Sequence, residues 1–173
     1  MSHNNIEIKA RCADPSFIRN YLQSQNAIFK GQDEQTDTYF NVSNGRLKLR
    51  QGIIENSLIF YKRENIAGPK LSEVLLYKVT ENSDLLKKAL SQAHGIKIIV
   101  LKKREIYFIE NVKFHIDKVE GLGSFVEIEA IDSDGSLGID FIRKQCNYYL
   151  QQFNINEADL ITESYSDMIM KNL

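Results

Sequence analysis

The segment from Asn111 to Ile131, NVKFHIDKVEGLGSFVEIEAI, restricts the fold more than any other stretch of the chain. Val112, Phe114 and Ile116 alternate with Lys113, His115 and Asp117, and Val126, Ile128 and Ala130 alternate with Glu127 and Glu129, around a tight turn at Glu120-Gly121-Leu122-Gly123. A side-chain period of two makes this a β-hairpin with one apolar and one ionisable face. A sandwich core places Leu or Val on its inward face, so a face built from Lys, His, Asp and Glu requires water, metal or a charged ligand. Gly121-Leu122-Gly123 is a turn and no dinucleotide loop, because no helix follows it.

The same alternation recurs elsewhere. Asn4 to Arg11 is a strand with Ile6, Ile8 and Ala10 on one side and Asn5, Glu7 and Lys9 on the other. Gln35 to Phe40 and Arg46 to Arg50 form a hairpin through Asn44-Gly45, its second strand opposing Leu47 and Leu49 to Arg46, Lys48 and Arg50. Ser57 to Arg63 is a further strand whose periodicity leaves open whether Lys62 or Arg63 points inward. Glu73 to Val79 is a short strand after the break at Ala67-Gly68-Pro69, and Ile96 to Ile109 is a long one that puts Val100, Lys102 and Arg104 on one face. Helices are expected after Asp14-Pro15-Ser16, over Ser83 to His94, over Leu137 to Phe153, and as a last short element in Asp159 to Met170.

About eight strands, most apolar on one face and charged on the other, with few helices, predict an α+β chain. Its sheet rolls into a closed or nearly closed antiparallel barrel with a polar lumen, its outer wall covered by helices. The 173 residues, 43% hydrophobic, are enough for one globular domain, and a net charge of -1 gives no reason to expect nucleic acid or an anionic membrane as partner. Two cysteines without a CxxC pair, no apolar leader and no run approaching the roughly 20 apolar residues of a membrane span favour a soluble, cytosolic protein.

Glu127 and Glu129, two residues apart on one strand face, hold their carboxylates about 7 Å apart. Oxygen donors of this kind suit Mg²⁺ or Mn²⁺ shared with substrate phosphates, while Arg and Lys supply forked and point-charge contacts to phosphate oxygens. So many charges left in a lumen without counter-ions would cost several kcal/mol each, so a bound polyphosphate with metal is expected. The plainer readings are a solvated strand face for the glutamates, an edge guarded by charge for Arg46, a wall hydrogen-bonder for His115, and packing for Tyr148 and Tyr149. Lys70, Lys78 and Lys113 are further candidate tunnel cations.

These residues resemble the CYTH superfamily, the triphosphate tunnel metalloenzymes, and most closely its class IV adenylyl cyclase branch. The resemblance rests on QTDTYF with GRLKLRQG from Gln35 to Gly52, VLKKR from Val100 to Arg104 and HIDKVEGLGSFVEIE from His115 to Glu129, in family order, with Ser164-Tyr165 resembling the branch's ending. The family's opening E-x-E-x-K reads Asn5-Ile6-Glu7-Ile8-Lys9 here, so its first acid is replaced by an amide. The resemblance implies an eight-stranded antiparallel tunnel that binds ATP or another triphosphate with Mg²⁺ or Mn²⁺. It implies Glu7, Glu127 and Glu129 as metal ligands, with Asp117 as a further ligand or as an acid that holds a tunnel cation. Lys9, Lys48, Arg50, Lys102 and Arg104 would hold phosphates, joined by Lys62 or Arg63, and Lys102, Arg104 and Asp117 are the catalytic candidates. The branch often forms dimers. Cyclisation of ATP, hydrolysis of a triphosphate, and binding without turnover are the three functions open to such a tunnel, and Asn5 predicts weaker metal affinity than in relatives with both acids.

Overall fold

The computed structural model describes residues 2–173. Eight strands, β1 (Ser2–Arg11), β2 (Ile28–Phe40), β3 (Arg46–Gln51), β4 (Ser57–Arg63), β5 (Lys70–Lys78), β6 (Ile96–Ile109), β7 (Val112–Val119) and β8 (Gly123–Asp132), close into a barrel in the order β1-β5-β4-β3-β2-β6-β7-β8. Every neighbouring pair is antiparallel. Closure is made by β1, which pairs with β8 on one side and β5 on the other, so the first and last strands meet.

The alternation acts as anticipated, with the largest apolar cluster lying outside the barrel. Helices α1 (Pro15–Ser24) and α3 (Ile139–Gln152) cover the outer faces of β1, β7 and β8, burying Ile6, Ile8, Phe114, Val126 and Ile128 beneath Ile18, Leu22, Ile142 and Cys146. Asp14 caps α1, its Oδ1 accepting from the Ser16 and Phe17 amides at 3.0 and 3.2 Å, and Pro15 costs nothing in the first turn, where no helical partner for its nitrogen exists. Helix α2 (Ser83–His94) sets Leu86 and Leu90 against Phe40, Leu49 and Val79.

Two local expectations are corrected and one open choice is resolved. Strand β2 begins at Ile28 and not near Gln35, because a register irregularity between Phe29 and Gly31 lets a stretch without clean alternation continue along β6. The helix sought over Asp159 to Met170 is a short 3-10 turn at Glu157–Asp159 followed by α4 (Tyr165–Lys171), which starts where Ser164 and Asp167 form a reciprocal capping box. In β4, Arg63 and not Lys62 faces the lumen: Ser57, Ile59, Tyr61 and Arg63 line the cavity, and Lys62 is exposed. Leu58 and Phe60 on the outer face are as apolar as Ile59 and Tyr61 on the inner one, so hydrophobicity carried no parity for this strand.

One end of the barrel is plugged. Tyr39, Tyr61, Val100, Val119 and Phe125 pack there against Tyr165, Met168 and Ile169 of α4. Toward the other end Lys78 is exposed, and Ile54 is 40% exposed.

Candidate active site in the barrel lumen

Side chains from all eight strands enclose a cavity of about 310 Å³. Glu7, Lys9, Lys48, Arg50, Arg63, Lys102, Arg104, Glu127 and Glu129 all line it, so the residues singled out in the sequence, Lys62 and Asp117 excepted, converge on one space. Each reaches it by strand parity, every second residue of β1, β3, β6 and β8 pointing inward.

The cations are organised by buried carboxylates. Asp37, 1% exposed, faces Arg50 across β2 and β3 and accepts from Arg50 Nε at 2.8 Å and Nη2 at 2.9 Å, from Lys48 Nζ at 2.9 Å and from Lys102 Nζ at 3.2 Å. Burial alone would raise its pKa, but Arg50, Lys102 and Lys48 hold it well below the ordinary carboxylate value. Burial, with Arg104 and Arg50 nearby, pushes Lys102 well below the usual lysine value, which Asp37 only partly offsets. Asp117 does the same work for Arg104, accepting from its Nε at 2.7 Å and Nη2 at 2.5 Å in a forked pair, and from Tyr165 Oη at 2.8 Å. Of its two sequence-derived roles, this geometry is that of an acid holding a tunnel cation. It lies behind Arg104, outside the cavity lining.

The acid strip lies where β1 meets β8. Glu7 is the cross-strand partner of Glu129, and Lys9 of Glu127. Glu127 takes Lys9 at 3.1 Å, Arg104 at 2.8 Å and His115 Nδ1 at 3.0 Å, while Glu7 is bonded to Arg63. Glu129 accepts from the Asn5 amide. Burial, and the carboxylates of Glu7, Glu127 and Glu55, raise the pKa of Glu129 despite the nearby Lys113. Burial and the cations Arg104 and Lys113 push His115 down to about 3, so its ring is neutral at physiological pH.

Several buried polar atoms of the lining have no hydrogen-bond partner among the described residues: Asn5 Oδ1, Arg63 Nε and Nη2, Ser72 Oγ and His115 Nε2. Such atoms cost free energy unless a ligand satisfies them. The unspent donors of Arg63 suit an anion, and the crowded oxygens of Glu7 and Glu129 beside the free Asn5 carbonyl suit a hard divalent cation, which would relieve their repulsion. No group of three or more His, Cys, Asp or Glu side chains is already gathered to hold an ion among the described residues. The donor set therefore fits an ion shared with substrate oxygens, whereas a closed all-protein site is not formed.

Sequence reasoning missed Asp37, Glu55 and the tyrosines. Asp37 sat in plain view at an inward position two residues before Tyr39, and strand parity carried through β2 would have found it. Glu55 comes from the β3–β4 loop, where no periodicity applies. Of the secondary candidates, Lys78 and Lys113 line the cavity, while Lys70, 1% exposed, donates to the Ile161 carbonyl at 2.8 Å and so anchors the segment before α4.

The model of the CYTH domain matches residues 3–165. The chain belongs to the CYTH family. A relative from Methanocaldococcus jannaschii, named provisionally as an adenylate cyclase, is 26% identical over 178 residues, covering 94% of this chain and 97% of its own length. A solved structure from Vibrio parahaemolyticus, also named provisionally as an adenylate cyclase, superposes with a TM-score of 0.78 at 17% identity over 96% of this chain and 97% of that one. A Hippeastrum protein, described as an adenylyl cyclase candidate with a dominant triphosphatase activity, has the same fold at a TM-score of 0.59 and 13% identity, over 97% of this chain and 96% of that one. CYTH proteins bind triphosphates and use divalent metals, and include adenylyl cyclase-like and triphosphatase enzymes. No helix among the described residues is long and apolar enough to cross a membrane.

Proposed function

We propose that this CYTH protein is a metal-dependent adenylyl cyclase, converting ATP to cyclic AMP and pyrophosphate. The observation that carries the reading is the composition of one cavity: cations from β1, β3, β4, β5, β6 and β7, carboxylates from β1, β8 and the β3–β4 loop, and a neutral wall of Ile59, Val74 and Leu76 on β4 and β5. A purely inorganic polyphosphate has no use for an apolar wall, whereas a nucleotide brings an organic half that does. Lys9, Lys48, Arg50, Arg63, Lys102 and Arg104 orient the triphosphate and stabilise the negative charge that grows on the departing pyrophosphate. Glu7, Glu127 and Glu129, with the Asn5 carbonyl, would hold Mg²⁺ or Mn²⁺, which when bound acidifies the ribose 3′-hydroxyl and neutralises charge at the phosphates. Attack of that hydroxyl on the α-phosphorus forms the cyclic ester and breaks the bond to the pyrophosphate oxygen, the hydroxyl proton passing to solvent. We assign no general base.

Hydrolysis of a terminal phosphate is the second reading, favoured by the triphosphatase activity in the description of the Hippeastrum neighbour. Incubation with Mg²⁺ or Mn²⁺ and, separately, ATP, inorganic triphosphate or thiamine triphosphate distinguishes them. Cyclic AMP with pyrophosphate is the expected product from ATP. Phosphate release establishes the hydrolase, and binding without product excludes both.

Asn5 gives a second test. Asn5→Glu replaces an amide that donates to Glu129 with another carboxylate, adding repulsion to an already crowded strip. The variant is expected to melt lower than wild type without metal and to bind Mn²⁺ about tenfold more tightly, as measured by calorimetry and thermal unfolding. An unchanged Mn²⁺ affinity removes position 5 from the metal site.

A further inference from the structure

Glu55 is not on a strand, yet it reaches into the lumen, and the loop that carries it is fastened with unusual care. Asp33, 1% exposed, accepts from the Ile53 and Ile54 amides at 2.8 and 3.1 Å through Oδ1 and from the Glu55 amide at 3.0 Å through Oδ2. Gly52 lets the loop lie this close: a Cβ there would sit 2.4 Å from Asp33 Oδ2. Thus held, Glu55 Oε2 accepts from Arg50 Nη1 and from Gln35 Nε2, each at 2.9 Å, and Oε1 is bonded to Lys113. Gln35, 2% exposed, also donates to Asp33 at 3.0 Å, so the donor is fixed to the same clamp.

Two cations and a neutral amide aimed at one carboxylate are the donor set that a phosphate group takes. We propose that Arg50, Gln35 and Lys113 form an anion subsite toward the open end of the tunnel, that Glu55 fills it before substrate arrives, and that a phosphate of the triphosphate takes the carboxylate's place. The inference rests on the lumen being a triphosphate site. Its physical logic is charge conservation. Without Glu55 the cations Arg50 and Lys113 would share a confined space with less compensation, a costly state, and exchanging one anion for another leaves them matched throughout. Burial opposes ionisation of Glu55, but Arg50 and Lys113 keep its pKa well below the ordinary value, so the stand-in is charged. Its side chain keeps 18% exposure, whereas that of Asp37, the other acid on Arg50, keeps 1%. Glu55 is therefore the partner with room to leave, and Asp37 the one that stays.

The consequence is that Glu55 competes with substrate and sets affinity. Inorganic triphosphate titrated calorimetrically in the presence of a chelator is expected to bind Glu55→Gln about tenfold more tightly than wild type, and Lys113→Met about tenfold more weakly. Glutamine keeps the shape and an acceptor oxygen while removing the competing charge. Should Glu55→Gln fail to fold, Glu55→Asp, which withdraws the carboxylate from Lys113, is expected to tighten binding in the same direction. Unchanged or weaker triphosphate binding by the folded Glu55 variants overturns the subsite, as does a loss of Mn²⁺ affinity in Glu55→Gln with triphosphate affinity unaltered, which would make Glu55 a metal ligand. If wild type itself binds no triphosphate, the tunnel reading falls and the subsite with it, an outcome distinct from the others.

Discussion

Arg104→Ala is expected to abolish triphosphate binding and to destabilise the protein by about 3–5 kcal/mol, the usual result of stranding a buried carboxylate. Arg104 is 2% exposed and bonds both oxygens of Asp117 and one of Glu127. Its loss leaves Asp117 with the Tyr165 hydroxyl and Glu127 with Lys9 and His115. Binding fails for a separate reason: the guanidinium that lines the lumen from β6 is gone. Arg104→Lys separates the two effects. It restores a charge but not the fork, so it is expected to recover part of the stability and little of the binding. Urea unfolding with triphosphate calorimetry on both variants checks this, and full binding by Arg104→Ala would remove Arg104 from the basic wall.

Asp37→Ala is expected to cost a similar amount, about 3–5 kcal/mol, because one carboxylate organises three lumen cations. Arg50 keeps Glu55 as a partner, but Lys48 and Lys102 lose the carboxylate that holds them. The same residue predicts an acid limit. Asp37 titrates well below the ordinary carboxylate value of about 3.9 when folded. Its contribution is thus complete above about pH 3.9 and is lost as the pH falls from there toward its folded value. Glu55 and Glu127 share that sign, both being held low after the opposing effect of burial by their cation partners. Glu129 has the opposite sign: its raised pKa makes the ionised form unfavourable in the fold, so protonating it on acidification relieves strain in the acid strip. Asp37, Asp117, Glu55 and Glu127 outweigh Glu129, and His115, lowered from 6.5 to about 3, adds a loss that sets in below about pH 6.5. Wild type is therefore expected to lose stability progressively on acidification and most steeply below about pH 4. Asp37→Ala, already less stable, should show a shallower acid limb. An identical limb in wild type and variant, measured by urea unfolding across pH, would mean that Asp37 is not the group that titrates.

The two variants report on different sides of the lumen. Asp37 gathers cations from β3 and β6 around β2, and Arg104 joins β6 to the acids of β7 and β8. A tunnel whose opposing walls are each internally neutralised can stay folded before substrate arrives. It must then exchange some internal partners for substrate groups, and Glu55 is the partner placed to yield.

Alternation along each strand decided much of this protein by itself. Ile6, Ile8 and Ala10 against Asn5, Glu7 and Lys9, and the matching pattern in the hairpin from Asn111 to Ile131, already specify a sheet with its grease outward and its charges inward. Side-chain direction in a strand is a local property with a period of two, so it is legible wherever the two faces differ in polarity. Tertiary structure alone decided the rest. Arg63 prevailed over Lys62 because β4 is apolar on both faces and its direction was set by pairing with β3 and β5. Asp37 became the hub for Lys48, Arg50 and Lys102 because the register of β2 with β3 and β6 sets it across from Arg50 and one inward position away from Lys48 and from Lys102. Glu55 entered the lumen because Asp33, on another element, pins its loop. Which charges meet depends on register, closure and loop path, and these are long-range properties that no stretch of residues carries within itself.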